Sequence, residues 1–206
     1  EAAGLYLTGS RRPFAFQGVK LRLGPGRLLP GKEVAPAPPP PPGPFAPLEA
    51  RRDYLDHLRK SAQGLALKRG VVYLDAMGGA GGGILGQVLK RLEAPVELRE
   101  LHPLPHPLFY GVAPDPRPEH LRTLRLLLRE AKPPALGLAL DGDADRLGVY
   151  LPGGEALPGD QALARLREAA QGREVEALGE GAYRFPWHLE EPDPFLAALL
   201  LMGVLL

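Results

Sequence analysis

The sequence GVVYLDAMGGAGGGILGQVLKRLEAPVELREL, residues 70–101, contains two apolar segments separated by a glycine-rich turn and an amphipathic segment. The run at 70–75 predicts a buried strand, the glycines at 78–83 predict a turn that opens a helix ending near residue 92, and 96–101 predicts a second strand. Two strands joined through a helix of this length pair in parallel, with the helix across one face of the sheet. The stretch therefore predicts a βαβ unit.

The same alternation continues on both sides of this unit. Leucines at helical spacing predict a helix over 119–131, ALGLAL at 135–140 predicts a third buried strand, and 147–151 predicts a fourth. A helix is also predicted over 48–63, where Gly64 is placed to end it. Alternating strands and helices of these lengths predict an α/β fold, a three-layer αβα arrangement around a mostly parallel mixed sheet.

The first 47 residues do not continue the alternation of strands and helices. Residues 4–7 and 19–23 predict two short strands around a turn. The run APAPPPPPGPFAP at 35–47 lacks most backbone N–H donors and predicts a polyproline II spacer, with a ligand for an SH3-type domain as the alternative.

The amino-acid composition and charge of the chain exclude several classes of function. The chain has 206 residues, of which 45% are hydrophobic, enough to bury a core. With 25 Lys and Arg against 24 Asp and Glu, the net charge of +1 gives no field that gathers nucleic acid, so no nucleic-acid partner is expected. The absence of cysteine excludes thiolate chemistry. The longest apolar run, 195–206, is short of the roughly 18 residues that a membrane span needs. We expect a cytoplasmic protein without a membrane partner.

The most specific motif is DGDADR at 141–146, which directly follows the predicted strand ALGLAL. Three carboxylates at alternate positions of an extended loop point the same way, and such crowding is costly without a cation. Hard oxygen ligands at this spacing suit Mg²⁺. An EF-hand would need glycine and glutamate where this chain has Arg146 and Pro152, so that class is excluded. A solvated acidic turn is the alternative.

A second motif lies near the N-terminus. In TGSRR at 8–12, Ser10 lies between a glycine and two arginines, and Lys20 follows on the next predicted strand. A serine in such a turn can carry a phosphoryl group whose charge the basic side chains stabilise. An ordinary basic turn is the alternative.

Several of these stretches resemble the α-D-phosphohexomutases, the family of phosphoglucomutase and phosphomannomutase. The resemblance is densest from about 70 to 151, and the order of the motifs along the chain also agrees. The similar stretches are the metal loop DGDADR (141–146), DAMGGAG (75–81), the proline-rich loop (103–121), the phosphoserine loop LTGSRRPFAFQGVK (7–20), the start of a third domain (159–166) and the sugar-recognition loop (178–201).

The resemblance implies a phosphohexomutase, an isomerase that interconverts hexose 1-phosphate and hexose 6-phosphate, with glucose or mannose as the sugar. It implies a phosphoserine intermediate, Mg²⁺, hexose 1,6-bisphosphate as activator and a phosphosugar as partner, in a monomer or a homodimer. By position, the implied catalytic residues are Ser10, Lys20 and Arg146, the metal ligands are Ser10, Asp141, Asp143 and Asp145, and the substrate-binding residues are Arg11, Arg12 and Glu180.

The chain departs from the family pattern at several positions, including Ala76 and Gly78 in DAMGGAG, which replace a proline and a histidine. Arg11 and Arg12 replace a histidine and an asparagine, and Ala182 replaces a serine. Arginine does not lose its proton in proteins, so Arg11 cannot act as a general base. Only about 34 residues separate Asp145 from Glu180, too few for a complete third domain. We expect a shortened relative or part of a longer protein, with a partial first domain over 1–46, a metal-binding α/β domain over 47–155 and a partial third domain over 156–206.

Two other functions remain open from the sequence. The departures and the short length favour a non-catalytic remnant that binds phosphosugar or Mg²⁺ without turnover. Gly81, Gly83 and Gly86 match the spacing G-x-G-x-x-G, with Glu97 and Glu100 downstream, which is a weak indication of a dinucleotide-binding oxidoreductase. Backbone N–H groups of the turn aimed at a pyrophosphate-sized cleft would favour the oxidoreductase.

Overall fold

The computed structural model describes residues 3–12, 15–24, 27–34, 43, 46 and 49–206 of the chain. Most of the predicted proline-rich spacer at 35–47 therefore lies outside the described residues. Within the described residues the elements follow in the order β1 (Ala3–Thr8), β2 (Gly18–Leu23), β3 (Arg27–Leu29), α1 (Ala50–Ser61), β4 (Gly70–Asp75), α2 (Ile84–Arg91), β5 (Val96–Leu101), α3 (Arg122–Glu130), β6 (Ala135–Leu140), β7 (Leu147–Tyr150), α4 (Gly159–Ala169), β8 (Glu176–Gly179), β9 (Ala182–Phe185), β10 (Leu189–Pro192) and α5 (Pro194–Leu205).

The central sheet has the strand order β5-β4-β6-β7. Strand β4 pairs in parallel with both β5 and β6, whereas β7 returns antiparallel to β6. Asp75 at the end of β4 is level with Leu101 and Ala139, so the carboxyl ends of the three parallel strands share one edge. The predicted α/β class with a mostly parallel mixed sheet is confirmed.

Helices cover both faces of this sheet, which makes the three layers. On one face, α1, α2, α4 and α5 pack with β4, β6 and β7 in the larger core. On the other face, α3 packs Leu124 and Leu128 against Tyr73 and Tyr150. All six residues of β6 are buried, as a strand covered on both sides requires.

Helix α3 begins later than the periodicity predicts. The leucine pattern predicts a helix from residue 119, but Pro118–His120 form a 3-10 turn and the α-helix starts at Arg122. The proline-rich stretch that precedes it cannot supply the N–H groups of a regular helix.

Two three-stranded antiparallel sheets flank the central one, in the orders β1-β2-β3 and β10-β9-β8. The sequence predicts β1 and β2, but it does not predict β3, β8, β9 or β10. These four strands are three or four residues long, too short for a period-2 pattern to be distinctive. Arg22 of β2 forms an ion pair with Glu191 of β10, which joins the two small sheets.

The apolar C-terminal run forms α5, and its first nine residues are buried. A helix that is apolar on all sides is an interior helix. It packs against α1, α4, β6, β7 and β9. Among the described helices, none combines the length and the apolar character that a bilayer crossing requires.

The glycine turn between β4 and α2 is filled by protein. A β-carbon at Gly82 would collide with the carbonyl of Pro103, and one at Gly79 would collide with that of Gly142. The N–H of Gly83 donates to Glu100 Oε1 at 3.1 Å. The glycines thus allow the turn to pack closely against neighbouring loops, and this arrangement gives no support to the dinucleotide alternative.

Candidate active site

The acidic motif forms the tight loop between β6 and β7, at the carboxyl edge of the parallel strands. Asp141 is fully buried, and its Oδ1 accepts the N–H groups of Asp145 at 3.0 Å and Arg146 at 3.1 Å. These bonds close the loop around the Asp141 side chain. Ala144 has φ of 55°, a conformation that a non-glycine residue adopts at a cost and that recurs at functional sites.

The loop gathers its three carboxylates. One oxygen each of Asp141, Asp143 and Asp145 lies within 4.8 Å of the others. Asp143 Oδ1 and Asp145 Oδ1 are buried and have no hydrogen-bond partner among the described residues. Burial, and then the charges of Asp145 and Asp143, raise the pKa of Asp141 to about 8. The three carboxylates are thus held close together in a largely buried loop, where their mutual repulsion opposes full ionisation of the cluster.

A divalent cation fits this donor set. Carboxylate oxygens are the ligands that Mg²⁺ prefers, and two of them here are buried without a hydrogen-bond partner among the described residues. A cation would both satisfy these oxygens and offset the repulsion within the triad. The solvated acidic turn does not describe a loop whose first carboxylate is fully buried.

Ser10 lies beside the triad. It occupies the turn after β1 with φ of 50°, and its N–H donates to Thr8 Oγ1 at 2.8 Å. The Ser10 Oγ is 3.5 Å from Asp141 Oδ2. Thr8 also donates through Oγ1 to Asp143 Oδ2 at 2.8 Å, so one threonine joins the serine turn to the acidic loop.

Lys20 supplies positive charge on the opposite strand of the same hairpin. Its Nζ lies 3.5 Å from Asp143 Oδ2 and 3.4 Å from Asp145 Oδ2. Tyr6 is the register partner of Lys20, and its hydroxyl donates to the Asp143 carbonyl at 3.3 Å. Burial, followed by the charge of Asp143, raises the pKa of Tyr6 to about 12. The β1–β2 hairpin is thus attached to the acidic loop through several side chains.

Arg146 connects the triad to a neighbouring cleft. Its Nε is 3.8 Å from Asp141 Oδ2 and 3.7 Å from Asp145 Oδ1, and its Nη1 donates to the carbonyl oxygen of Glu180 at 2.8 Å. The cleft has a volume of about 230 Å³. Its polar side chains are those of Arg11, Asp115, Arg117, Arg146, Tyr150, Glu180 and Tyr183.

The residues implied by the family resemblance are thus distributed over two adjoining regions and one separate position. Around the triad lie the predicted catalytic and metal-binding side chains, Ser10, Lys20, Arg146, Asp141, Asp143 and Asp145. Arg11 and Glu180 line the cleft. Arg12 does not line it, because its guanidinium lies over the Phe16 ring, 5.6 Å from the centroid.

Several residues of this region are not predicted as site residues from the sequence. Thr8 belongs to the TGSRR motif, but nothing in the sequence indicates its bond to Asp143. Arg117 lies between prolines in DPRP, an arrangement that signals a fixed loop but not its neighbours. Tyr150 and Tyr183 come from different sheets, and only tertiary packing brings them together.

Comparison with known proteins agrees with this geometry. A family model for phosphoglucomutase/phosphomannomutase, alpha/beta/alpha domain II, matches residues 52–154. The phosphoglucomutase of Neisseria meningitidis serogroup B is 31% identical over 173 residues, which are 78% of this chain and 36% of that protein. The phosphomannomutase of Salmonella typhimurium is 27% identical over 184 residues, 81% of this chain and 40% of that protein. The chain therefore spans 36 to 40% of the length of these curated relatives.

Solved structures give the same result. A crystal structure from Thermus thermophilus, of a protein assigned as a phosphomannomutase, superposes with a TM-score of 0.82 and 29% identity, over 99% of this chain and 60% of that one. A phosphoglucomutase/phosphomannomutase family protein from Burkholderia thailandensis shares the fold, with a TM-score of 0.73 at 19% identity over 98% of this chain and 55% of that one. From its domain match, its relatives and its fold, the chain belongs to the phosphoglucomutase/phosphomannomutase family.

Proposed function

We propose that the chain is a phosphohexomutase, which interconverts hexose 1-phosphate and hexose 6-phosphate of glucose or mannose through a phosphoserine at Ser10. The observation that carries the proposal is the distance of 3.5 Å between Ser10 Oγ and Asp141 Oδ2, two residues that are 131 positions apart in the chain. A hydroxyl beside a carboxylate triad that fits a divalent cation suits phosphoryl transfer, which depends on positioning and on stabilisation of charge by metal ions.

Asp141, Asp143 and Asp145, together with an oxygen of the modified Ser10, would hold Mg²⁺. When bound, Mg²⁺ supplies positive charge that stabilises the oxygens of a transferring phosphoryl group. Lys20 adds a fixed ammonium 3.4 to 3.5 Å from two of these carboxylates. Arg146 adds a guanidinium between the triad and the cleft.

The proposed reaction consists of two phosphoryl transfers, the first from Ser10 to the sugar and the second from the sugar back to Ser10. In the first, a hydroxyl of the hexose phosphate forms a bond to the phosphorus on Ser10, the bond from Ser10 Oγ to phosphorus breaks, and the hydroxyl proton passes to Ser10 Oγ. The product is hexose 1,6-bisphosphate. In the second, Ser10 Oγ takes the other phosphoryl group, and its proton passes to the hydroxyl that is released. Free hexose 1,6-bisphosphate acts as activator because it phosphorylates Ser10.

The cleft beside the triad is the proposed position of the phosphosugar. Glu180 would accept hydrogen bonds from the sugar hydroxyls, since its carboxylate is 75% exposed at the edge of the cleft. Arg11 would supply charge to a phosphate group, since it lines the same cleft. Arg12 is left out of the proposed site, because its side chain packs over Phe16.

A second candidate is a phosphosugar-binding protein without turnover, and the observation that favours it is Arg11. A guanidinium does not accept a proton, so residue 11 cannot assist the transfer as a base. The two candidates differ in one measurable property, because both bind Mg²⁺ and phosphosugar but only the mutase converts one hexose phosphate to the other.

The test is a coupled assay for conversion of glucose 1-phosphate to glucose 6-phosphate, with Mg²⁺ and a trace of glucose 1,6-bisphosphate. Mannose 1-phosphate serves as a second substrate. Wild type should turn over and should carry a phosphoryl group by intact mass, whereas Ser10→Ala should lose both properties. Ser61→Ala is the matched control, because Ser61 bonds to His188 away from the triad. Binding of phosphosugar without turnover in wild type would support the second candidate.

A further inference from the structure

We propose that Arg11 and Arg117 form a phosphate clamp that holds the phosphate group of the substrate that is not being transferred. This inference rests on the proposed function and extends it to a residue, Arg117, that the family motifs do not identify. Both residues line the cleft of about 230 Å³, and Arg146, which also lines it, lies beside the acidic triad. A hexose bisphosphate has one phosphate at each end, so a site beside the triad must accommodate a second phosphate.

Both the backbone and the side chain of Arg117 are held by neighbouring groups. Its backbone lies between Pro116 and Pro118, which restrict the chain on both sides. The Tyr150 hydroxyl donates to the Pro116 carbonyl at 2.7 Å, and the Arg117 N–H donates to the Asp115 carbonyl at 2.7 Å. The Arg117 Nε lies 3.1 Å from Asp115 Oδ2. One edge of the guanidinium is therefore fixed, so less side-chain entropy is lost when the other edge binds a ligand.

The second edge of Arg117 has a weak partner. Its Nη2 lies 4.0 Å from Glu180 Oε2, at the limit of an ion pair, and the Glu180 side chain is 75% exposed. An exposed pair at this distance contributes little to stability. A phosphate group carries more charge and accepts two parallel N–H bonds from a guanidinium, so it would displace Glu180. The displaced carboxylate is then available to the sugar hydroxyls, as the proposed function requires.

Arg11 approaches the cleft from a different part of the fold. It follows Ser10 in the turn after β1, whereas Arg117 belongs to the loop that precedes α3. The Arg11 side chain is half-buried, and it lines the cleft together with Arg117. An arginine cannot act as a base. Its planar, positively charged guanidinium does suit the binding of a phosphate group, which is what a phosphate clamp needs.

The clamp is tested by calorimetric titration of the Mg²⁺-loaded protein with glucose 6-phosphate, inorganic phosphate and glucose. The variants are Arg117→Ala, Arg117→Lys and Arg11→Ala. Arg122→Ala is the matched control, because Arg122 is an exposed arginine of the next helix that does not line this cleft. We expect Arg117→Ala and Arg11→Ala to bind glucose 6-phosphate about tenfold to a hundredfold more weakly. Arg117→Lys should be intermediate, and Arg122→Ala should match wild type.

A second titration, with Mg²⁺ alone, separates binding from folding. The Mg²⁺ affinity of Arg117→Ala should equal that of wild type, because Arg117 has no contact with the triad within the described part of the chain. Three results would overturn the clamp: no binding of inorganic phosphate to wild type, equal glucose 6-phosphate affinity in wild type and Arg117→Ala, or a parallel loss of Mg²⁺ affinity in that variant.

Different experimental results would contradict the clamp and the proposed function. If wild type binds glucose 6-phosphate through Arg117 but does not turn over, the mutase proposal fails and the clamp stands. If wild type turns over and Arg117→Ala has an unchanged KM, the clamp fails and the mutase proposal stands.

Discussion

The carbonyl oxygen of Ser10 lies 2.5 Å from the point that a β-carbon on residue 142 would occupy. Gly142 is thus the position at which the serine turn and the acidic loop meet backbone to backbone. The ring of Pro114 closes the same point at 3.2 Å, so the serine turn is confined from a second side. The short distance between Ser10 Oγ and Asp141 depends on this glycine.

The first prediction concerns Gly142→Ala. The added methyl group must displace the Ser10 turn, and a displacement of about 1 Å at a reacting group lowers a rate by about a hundredfold. The coupled mutase assay measures this loss, and Mg²⁺ titration should show that the triad still binds the ion. Gly203→Ala is the control, because a β-carbon there meets no atom within 4 Å. Equal activity of the two variants would show that the close approach of the loops has no role.

The acidic loop was predictable from the sequence because its signal is local. A buried strand is followed at once by alternating carboxylates, and one segment of 12 residues contains both features. The central sheet was predictable for the same reason, since each strand and helix carries its own periodicity. The position of Ser10 beside Asp141 was different, because no local pattern connects residues 131 positions apart, and only the family resemblance implied it.

The remaining parts of the site depend on tertiary packing. The strands β8 to β10 are short and partly exposed, so they carry little periodicity. Arg117 reaches the cleft because Tyr150 and Asp115 position its loop, and those contacts are set by the fold. A sequence pattern can identify residue types that suit a site, but it cannot place residues from separate loops at one cleft.

The second prediction concerns the metal site. Asp143→Asn removes one charged ligand, and its Oδ1 is among the buried oxygens without a hydrogen-bond partner in the described part of the chain. We expect the Mg²⁺-dependent rise in melting temperature of wild type, which follows from binding to the folded state alone, to disappear in this variant. Thermal unfolding with and without Mg²⁺ measures this rise in melting temperature.

The control for Asp143→Asn is Asp53→Asn, on an aspartate of α1 whose side chain is 76% exposed. This variant should keep the full Mg²⁺ response. An undiminished response in Asp143→Asn would place the metal elsewhere or show that the loop binds none.

The third prediction concerns a buried polar network between α1 and the start of α5. Asp193 is 2% exposed, and its Oδ2 accepts from the Tyr54 hydroxyl at 2.9 Å and lies 2.8 Å from His188 Nε2. Its Oδ1 caps α5 by accepting the N–H groups of Phe195 and Leu196. Asp193→Ala leaves all of these groups unpaired, so we expect a loss of about 3–5 kcal/mol in the free energy of unfolding.

Tyr54→Phe is the graded control for this network, because it removes a single hydrogen bond. It should cost about 1 kcal/mol. Urea denaturation followed by Trp187 fluorescence measures both variants. If Asp193→Ala were no less stable than Tyr54→Phe, the helix cap and the contact of Asp193 with His188 would contribute nothing measurable.

The last prediction concerns the apolar helix α5 and its relation to the site. Leu199 is fully buried in the larger core, so Leu199→Ala should lower the free energy of unfolding by about 2–5 kcal/mol. Leu126→Ala, on a leucine of α3 that is 47% exposed, should change the free energy of unfolding by no more than about 0.5 kcal/mol.

Helix α5 packs against β6, and β6 leads directly into Asp141, so the same helix supports the strand that positions the triad. In the Leu199→Ala variant, Mg²⁺ should therefore recover part of the lost melting temperature, because the ion binds only the folded loop. A Leu199→Ala protein as stable as wild type would show that Leu199 contributes nothing measurable to the core that supports the acidic loop.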